Sequence, residues 1–233
     1  GIIFCSVTGY GQTGPKKSDP AIDGVIQAVS GMMSITGTPE TGPLKSGSTI
    51  VDYCTGYAAT VGITSALFQR TRTGEGQAID VSMLETAITM MGGEVLRAIT
   101  SGETPPLVGN ASGKGGYVSN TYRCKEGHLS IAAGAASRRE RLWKVIDGMD
   151  IPQDPRFASD EAVAKNMKAL DDAIERKLSA RTAIEWEKLL NEAGVAAMAV
   201  IPLAQAVHHP QLEHRNFFHK FHDQEATGLP PFV

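Results

Sequence analysis

Three cysteines in 233 residues, Cys5, Cys54 and Cys124, are too few, too far apart and too odd in number for a disulfide framework. No histidine stands at ligand spacing from any of them, so no metal centre is expected. Neither charge sign is in excess: 22 Lys and Arg face 25 Asp and Glu, a net charge of −3. The broad basic field that phosphate neutralisation requires is therefore missing, which argues against nucleic-acid partners. No apolar run approaches the roughly 18 residues of a membrane-crossing helix. The opening residues also lack the basic, apolar, small-residue order of a signal peptide. Together these absences predict a soluble, cytoplasmic protein with neither membrane nor nucleic acid among its partners. What remains, 42% hydrophobic and 20% charged residues without repeats or low-complexity tracts, suffices for one large core or two modest ones.

Composition changes along the chain. Residues 1–120 hold 20 of the 25 glycines, while most of the charged residues lie beyond them. The first part needs many tight turns and close backbone approaches, and the second can dress amphipathic helices. The boundary falls near Gly116 to Ser119, dividing the chain into domains 1–118 and 119–233. The chain opens at Gly1, with no initiator methionine, on the buried-type strand Ile2-Ile3-Phe4-Cys5-Ser6-Val7, and it stops on the apolar pair Phe232-Val233. These ends predict a chain that begins inside a larger domain.

Between Asp52 and Arg70 a small-residue apolar segment, with an acid first and a base last, predicts a buried helix aligned with its dipole. Ala78-Ile79-Asp80-Val81 reads as a strand. Ser82 with Glu85 then offers a capping box for a helix running to about Ile99. This alternation of strand and helix is α/β. Farther on, residues 121–124 and 128–132 form a hairpin around Lys125-Glu126-Gly127, followed by a helix over 138–147. Val163, Met167, Leu170, Ile174 and Leu178 share one helical stripe. Thr182 and Glu185 make a second capping box, Gly194 ends that helix, and residues 195–201 form a strand. Met167 and Trp186 read as core.

Asp52 is the most informative single residue. It follows Ile50-Val51 and faces the positive end of the predicted helix, where an ionised carboxylate is stabilised and can attack an activated carbonyl. A second reading makes it an N-cap that only satisfies free helix N–H groups. Local sequence leaves both open. The loop Gly109 to Tyr117 reads equally as a lid, an anion nest or an interdomain linker, and it lacks the spacing of a P-loop. Gly9-Tyr10-Gly11-Gln12-Thr13-Gly14 matches a dinucleotide fingerprint in spacing, but Pro15 and Pro20 forbid the helix that would receive a pyrophosphate. All six histidines lie at or beyond His128; the group His208, His209, His214, His219 and His222 has no framing carboxylate or cysteine pattern and reads as an exposed helix and turn. A Gly-x-Ser-x-Gly elbow is absent.

Taken in order, Cys5 to Pro15, Asp23 through Ala28-Val29-Ser30-Gly31-Met32-Met33, Val51-Asp52, and Arg70-Thr71-Arg72-Thr73-Gly74-Glu75-Gly76-Gln77 resemble the family III CoA-transferases, which include formyl-CoA transferase and carnitine CoA-transferase. The resemblance runs from Gly1 to about Asp223, and family members carry a further N-terminal segment. It implies part of a Rossmann-like large α/β domain that binds CoA, followed by a smaller α+β domain, in an interlocked homodimer. It also implies transfer of CoA from an acyl-CoA donor to a carboxylic acid through aspartyl anhydride and aspartyl-CoA thioester intermediates, with Asp52 as nucleophile. CoA and acyl-CoA are then substrates, and no permanently bound cofactor is implied. Ala21, Ile22, Asp23 and Gly24 take the family's CoA-contacting positions, and Gly113, Gly115, Gly116 and Tyr117 its substrate loop. Two departures stand out: Ala21 replaces a lysine of formyl-CoA transferase, and Lys114 interrupts the glycine run. In the related α-methylacyl-CoA racemases a histidine occupies the position of Ile22, which cannot carry a proton, so transfer is preferred over racemisation. A CoA-binding fragment without activity is the third reading.

Overall fold

The computed structural model describes residues 1–111 and 118–218. The chain divides into two compact units, Gly1–Gly113 and Lys114–Val233.

The first unit is built on β1 (Phe4–Thr8) and β4 (Ala78–Ser82), which pair in parallel with Phe4 opposite Ala78 and Thr8 opposite Ser82. Between them run α1 (Asp23–Val29), the two-residue strands β2 (Gly37–Thr38) and β3 (Gly42–Pro43), and α2 (Ile50–Thr73). This parallel pair with intervening helices places the fold in the α/β class. The 24 residues of α2 extend past both expected ends. Its threonines bond back to their own helix: Thr55 to the Val51 carbonyl at 2.7 Å, Thr60 to Gly56 at 2.9 Å and Thr64 to Thr60 at 2.9 Å. Such bonds satisfy the hydroxyls within the helix, at a small cost to its stability.

After β4 the expected single helix is broken. It forms α3 (Met83–Met90) and α4 (Gly92–Ser101), because Gly92-Gly93 is the weakest helix-forming pair in the segment. Ser82 caps α3 by accepting the Glu85 N–H at 3.3 Å. The unit's buried apolar cluster is small: Ile26, Val51 and Ala87, flanked by half-buried side chains that include Tyr10, Ala21, Ile50, Met83 and Leu84. Elsewhere apolar side chains stay in solvent, among them Tyr53, Tyr57, Val61 and Phe68 along α2.

The second unit has an antiparallel sheet in the order β5 (Val118–Arg123), β6 (His128–Ala133), β7 (Ala196–Ala199). Its helices are α5 (Ala136–Val145), α6 (Asp160–Lys165), α7 (Met167–Leu178), α8 (Ala183–Glu192), α9 (Leu203–Ala206) and α10 (Pro210–His214). The stripe from Val163 to Leu178 spans two helices, not one. Asn166 divides them, its side-chain amide donating to the Ala162 carbonyl at 2.9 Å. Twenty buried residues fill one core, including Leu129, Leu142, Ile174, Trp186 and Leu190. Trp186 satisfies its indole by donating to the Leu178 carbonyl at 2.7 Å.

Both edges of this sheet are closed by side chains one helical turn apart. On β7, Asn191 accepts the Ala197 N–H at 3.2 Å and donates to its carbonyl at 2.8 Å, and Glu187 accepts the Ala199 N–H at 2.8 Å. On β5, Glu175 accepts the Arg123 N–H at 2.8 Å, while Asn120 accepts the Thr121 N–H and donates to Asp171 at 3.2 Å. An open strand edge invites pairing with another chain, and these contacts close it.

Candidate active site

Three helix starts converge beside the carboxyl ends of β1 and β4. Ala21 leads into α1, Ile50 and Val51 begin α2, and Met83 and Leu84 begin α3; all pack around the Ile26, Val51 and Ala87 cluster together with Tyr10. The turn after β1 is fastened there by the Leu84 N–H, which donates to the Gly9 carbonyl at 3.0 Å. A side chain at Gly9 would collide with the Ala21 Cβ, so the close approach of these two segments needs glycine at position 9. The chain from Tyr10 to Ile22 forms turns, and no helix starts before Asp23.

Asp52 is the third residue of α2 and lies exposed. Among the described residues its carboxylate has no hydrogen-bond or ion-pair partner. It therefore does not act as the N-cap. The capping carboxylate is Asp23, from 29 residues earlier: its Oδ2 accepts the Val51 N–H at 2.8 Å and the Asp52 N–H at 3.3 Å. Thr49, in the N-cap position, makes no side-chain cap bond. Asp23 is only 6% exposed, and its Oδ1 accepts from Gln27 Nε2 at 2.6 Å. Gln27 is wholly buried, and its Oε1 accepts the Ser46 N–H at 2.8 Å. Helix α1 and the loop at Ser46 are thereby tied to the start of α2.

This arrangement leaves an exposed carboxylate in the first turn of a long helix, with the adjacent backbone N–H groups held by Asp23. Such a group is available as a nucleophile or base, and the helix end stabilises negative charge beside it. Of the other expected site residues, Ile22 is 70% exposed, Ala21 and Gly24 are half-buried, and Asp23 is turned inward to the cap. Gly113, Gly115, Gly116 and Tyr117 lie outside the described residues. Gln27 and Ser46 were not legible as site residues, because no local pattern announces a clamp between positions 19 apart.

Among the histidines, His209 caps α10, its Nδ1 accepting the Gln211 N–H at 3.1 Å, while His219 and His222 lie outside the described residues. No group of three His, Cys, Asp or Glu side chains among the described residues is arranged to hold a metal ion. No helix among them is long and apolar enough to cross a membrane.

Comparison with known proteins gives a consistent picture. The family profile described as CoA-transferase family III matches residues 1–233. The chain is 33% identical over 232 residues to acetyl-CoA:oxalate CoA-transferase of Acetobacter aceti, covering 98% of this chain and 59% of that protein. It is 29% identical over 235 residues to succinate–glutarate CoA-transferase of Agrobacterium fabrum, covering 98% of this chain and 57% of that one. The crystal structure of a CAIB/BAIF family protein from Brucella suis superposes with a TM-score of 0.83 at 29% identity, over 93% of this chain and 57% of that one. The chain thus spans less than two thirds of the length of these relatives.

Proposed function

This chain belongs to CoA-transferase family III, and we propose that it serves the transfer of CoA from an acyl-CoA donor to a carboxylic acid, with Asp52 as nucleophile. The observation that carries this reading is the exposed Asp52 carboxylate at the start of α2, unpartnered among the described residues, where Asp23 already accepts the Val51 and Asp52 N–H groups.

In this reading the Asp52 carboxylate attacks the thioester carbonyl of the donor. The C–S bond breaks, CoA leaves as its thiolate, and Asp52 holds the acyl group as a mixed anhydride. The thiolate then attacks the aspartyl carbonyl, releasing the donor acid and leaving an aspartyl-CoA thioester. The acceptor carboxylate attacks that thioester to give a second anhydride, and the thiolate takes the acceptor acyl group, restoring the Asp52 carboxylate. No proton is gained or lost in the cycle. A carboxylate suits this exchange because its acyl adducts stay activated, whereas a serine ester would be a resting point.

The relatives' names pair CoA with oxalate, succinate and glutarate, so short dicarboxylic acids form the acceptor class to test first. Asp52→Ala abolishes transfer and leaves the circular dichroism spectrum unchanged. Mass spectrometry of the unsubstituted protein incubated with acyl-CoA finds the adduct on the peptide containing Asp52. Turnover retained in Asp52→Ala would dismiss the assignment.

A further inference from the structure

The start of α2 carries the pattern Thr49-Ile50-Val51-Asp52, a threonine followed three residues later by an acid. At a helix start this pattern ordinarily closes on itself: the threonine accepts the third N–H and the acid reaches back to the threonine N–H. The same pattern at Thr182 to Glu185 does so here. Glu185 Oε2 accepts the Thr182 N–H at 2.8 Å, and Thr182 Oγ1 accepts the Glu185 N–H at 3.3 Å. At α2 neither bond is present among the described residues: Asp23 Oδ2, from outside the helix, accepts the Val51 and Asp52 N–H groups, the second of which is the donor that Thr49 Oγ1 would use.

Resting on the reading of Asp52 given above, we propose that Asp23 is a positioning residue that keeps Asp52 out of a capping box, so that its carboxylate stays free to react. Asp23 displaces the local cap because it is presented from a buried position, with Oδ1 clamped by Gln27 and Gln27 in turn held by Ser46. A carboxylate folded back onto Thr49 would lose nucleophilicity through the hydrogen bond it accepts and would point along the helix and away from a thioester. Asp23 thus acts on the reaction through the freedom of another residue and needs no contact with CoA.

The test measures kcat, the KM for donor acyl-CoA and the rate of adduct formation on the Asp52 peptide. The variants are Asp23→Ala, Asp23→Asn, Asp52→Ala and Thr49→Pro, the last alone and combined with each Asp23 variant. Asp23→Ala lowers kcat and the adduct rate about 10- to 100-fold, the scale of a misdirected reacting group, with a smaller change in KM. Asp23→Asn keeps the volume but sets two N–H donors against each other whichever way the new side-chain amide and that of Gln27 turn, and it gives a smaller loss of the same kind; it supplies the answer if the alanine variant does not fold.

Thr49→Pro removes the backbone N–H on which Asp52 would close, and the Thr49 φ of −76° already suits proline. Alone it leaves the rates near those of the unsubstituted protein. Combined with an Asp23 variant it restores most of the lost kcat, which a purely structural role for Asp23 would not allow. Wild-type rates in a folded Asp23 variant, or no rescue by Thr49→Pro, overturn the proposal while an inactive Asp52→Ala leaves Asp52 as nucleophile. Adduct formation in Asp52→Ala overturns the underlying reading instead.

Discussion

The two units solve the same folding problem in opposite ways. The second buries twenty residues in one core and closes both edges of its sheet with side chains from α7 and α8. The first gathers three buried residues, Ile26, Val51 and Ala87, into its cluster, leaves Tyr53, Tyr57, Val61 and Phe68 of α2 in solvent, and keeps a groove of about 540 Å3 open along Cys54, Ala58, Val61, Ile79 and Met90. The candidate site lies in the unit with the smaller core. There the α2 start is held by a buried polar network, Asp23 to Gln27 to Ser46, where the second unit relies on packed hydrocarbon. Directional hydrogen bonds fix one local geometry, and nonpolar burial supplies bulk stability; the two units show these contributions apart.

The sharpest way to break this comparison is a pair of truncations. Leu142 is fully buried in the second unit, and Leu142→Ala costs about 2–5 kcal/mol by denaturant unfolding. Val61, 64% exposed on α2, tolerates Val61→Ala within about 0.5 kcal/mol. A loss at Val61 as large as that at Leu142 would mean that the α2 surface is covered in solution.

Next in size is the closed edge of β7. Asn191→Ala removes an acceptor and a donor from Ala197 and costs about 1–2 kcal/mol. It also raises light scattering during refolding, because a freed strand edge pairs with other chains. Unfolding and scattering unchanged from the unsubstituted protein would show that the edge needs no such cover.

The smallest effect concerns Asp171 on α7. Burial, opposed by hydrogen bonds from Tyr122 and Asn120 and aided by the charges of Glu175 and Asp172, holds its carboxyl above the ordinary carboxylate range. A raised folded-state value means that protonation favours the fold: the contribution of Asp171 is fully present below the unfolded carboxylate range and is lost as pH rises through the raised value. Asp171→Asn therefore stabilises the second unit at neutral pH, and its advantage shrinks on acidification. Unfolding curves at pH 7 and pH 3 check the sign; an advantage larger in acid would contradict it.

Much of the second unit was legible from its residues. The hairpin, the Thr182 capping box and the helix end at Gly194, with φ of +73°, all depend on residues a few positions apart, and local chemistry decides them. Helix continuity was less legible. The breaks at Met91 and Asn166 arise where one weak segment, Gly92-Gly93 or a side chain bonding its own backbone, outweighs a periodic apolar pattern.

The sequence alone determined the family, the helix and strand character of most segments, and Asp52 as the carboxylate worth examining. Its short-range patterns and ordered motifs carry that information without reference to the fold. Only the tertiary structure decided what holds the start of α2, since two acids compete for the same N–H groups and the winner comes from 29 residues away. Which acceptor captures a helix end depends on what packing brings within hydrogen-bonding reach of it, and a sequence specifies that distance only by folding.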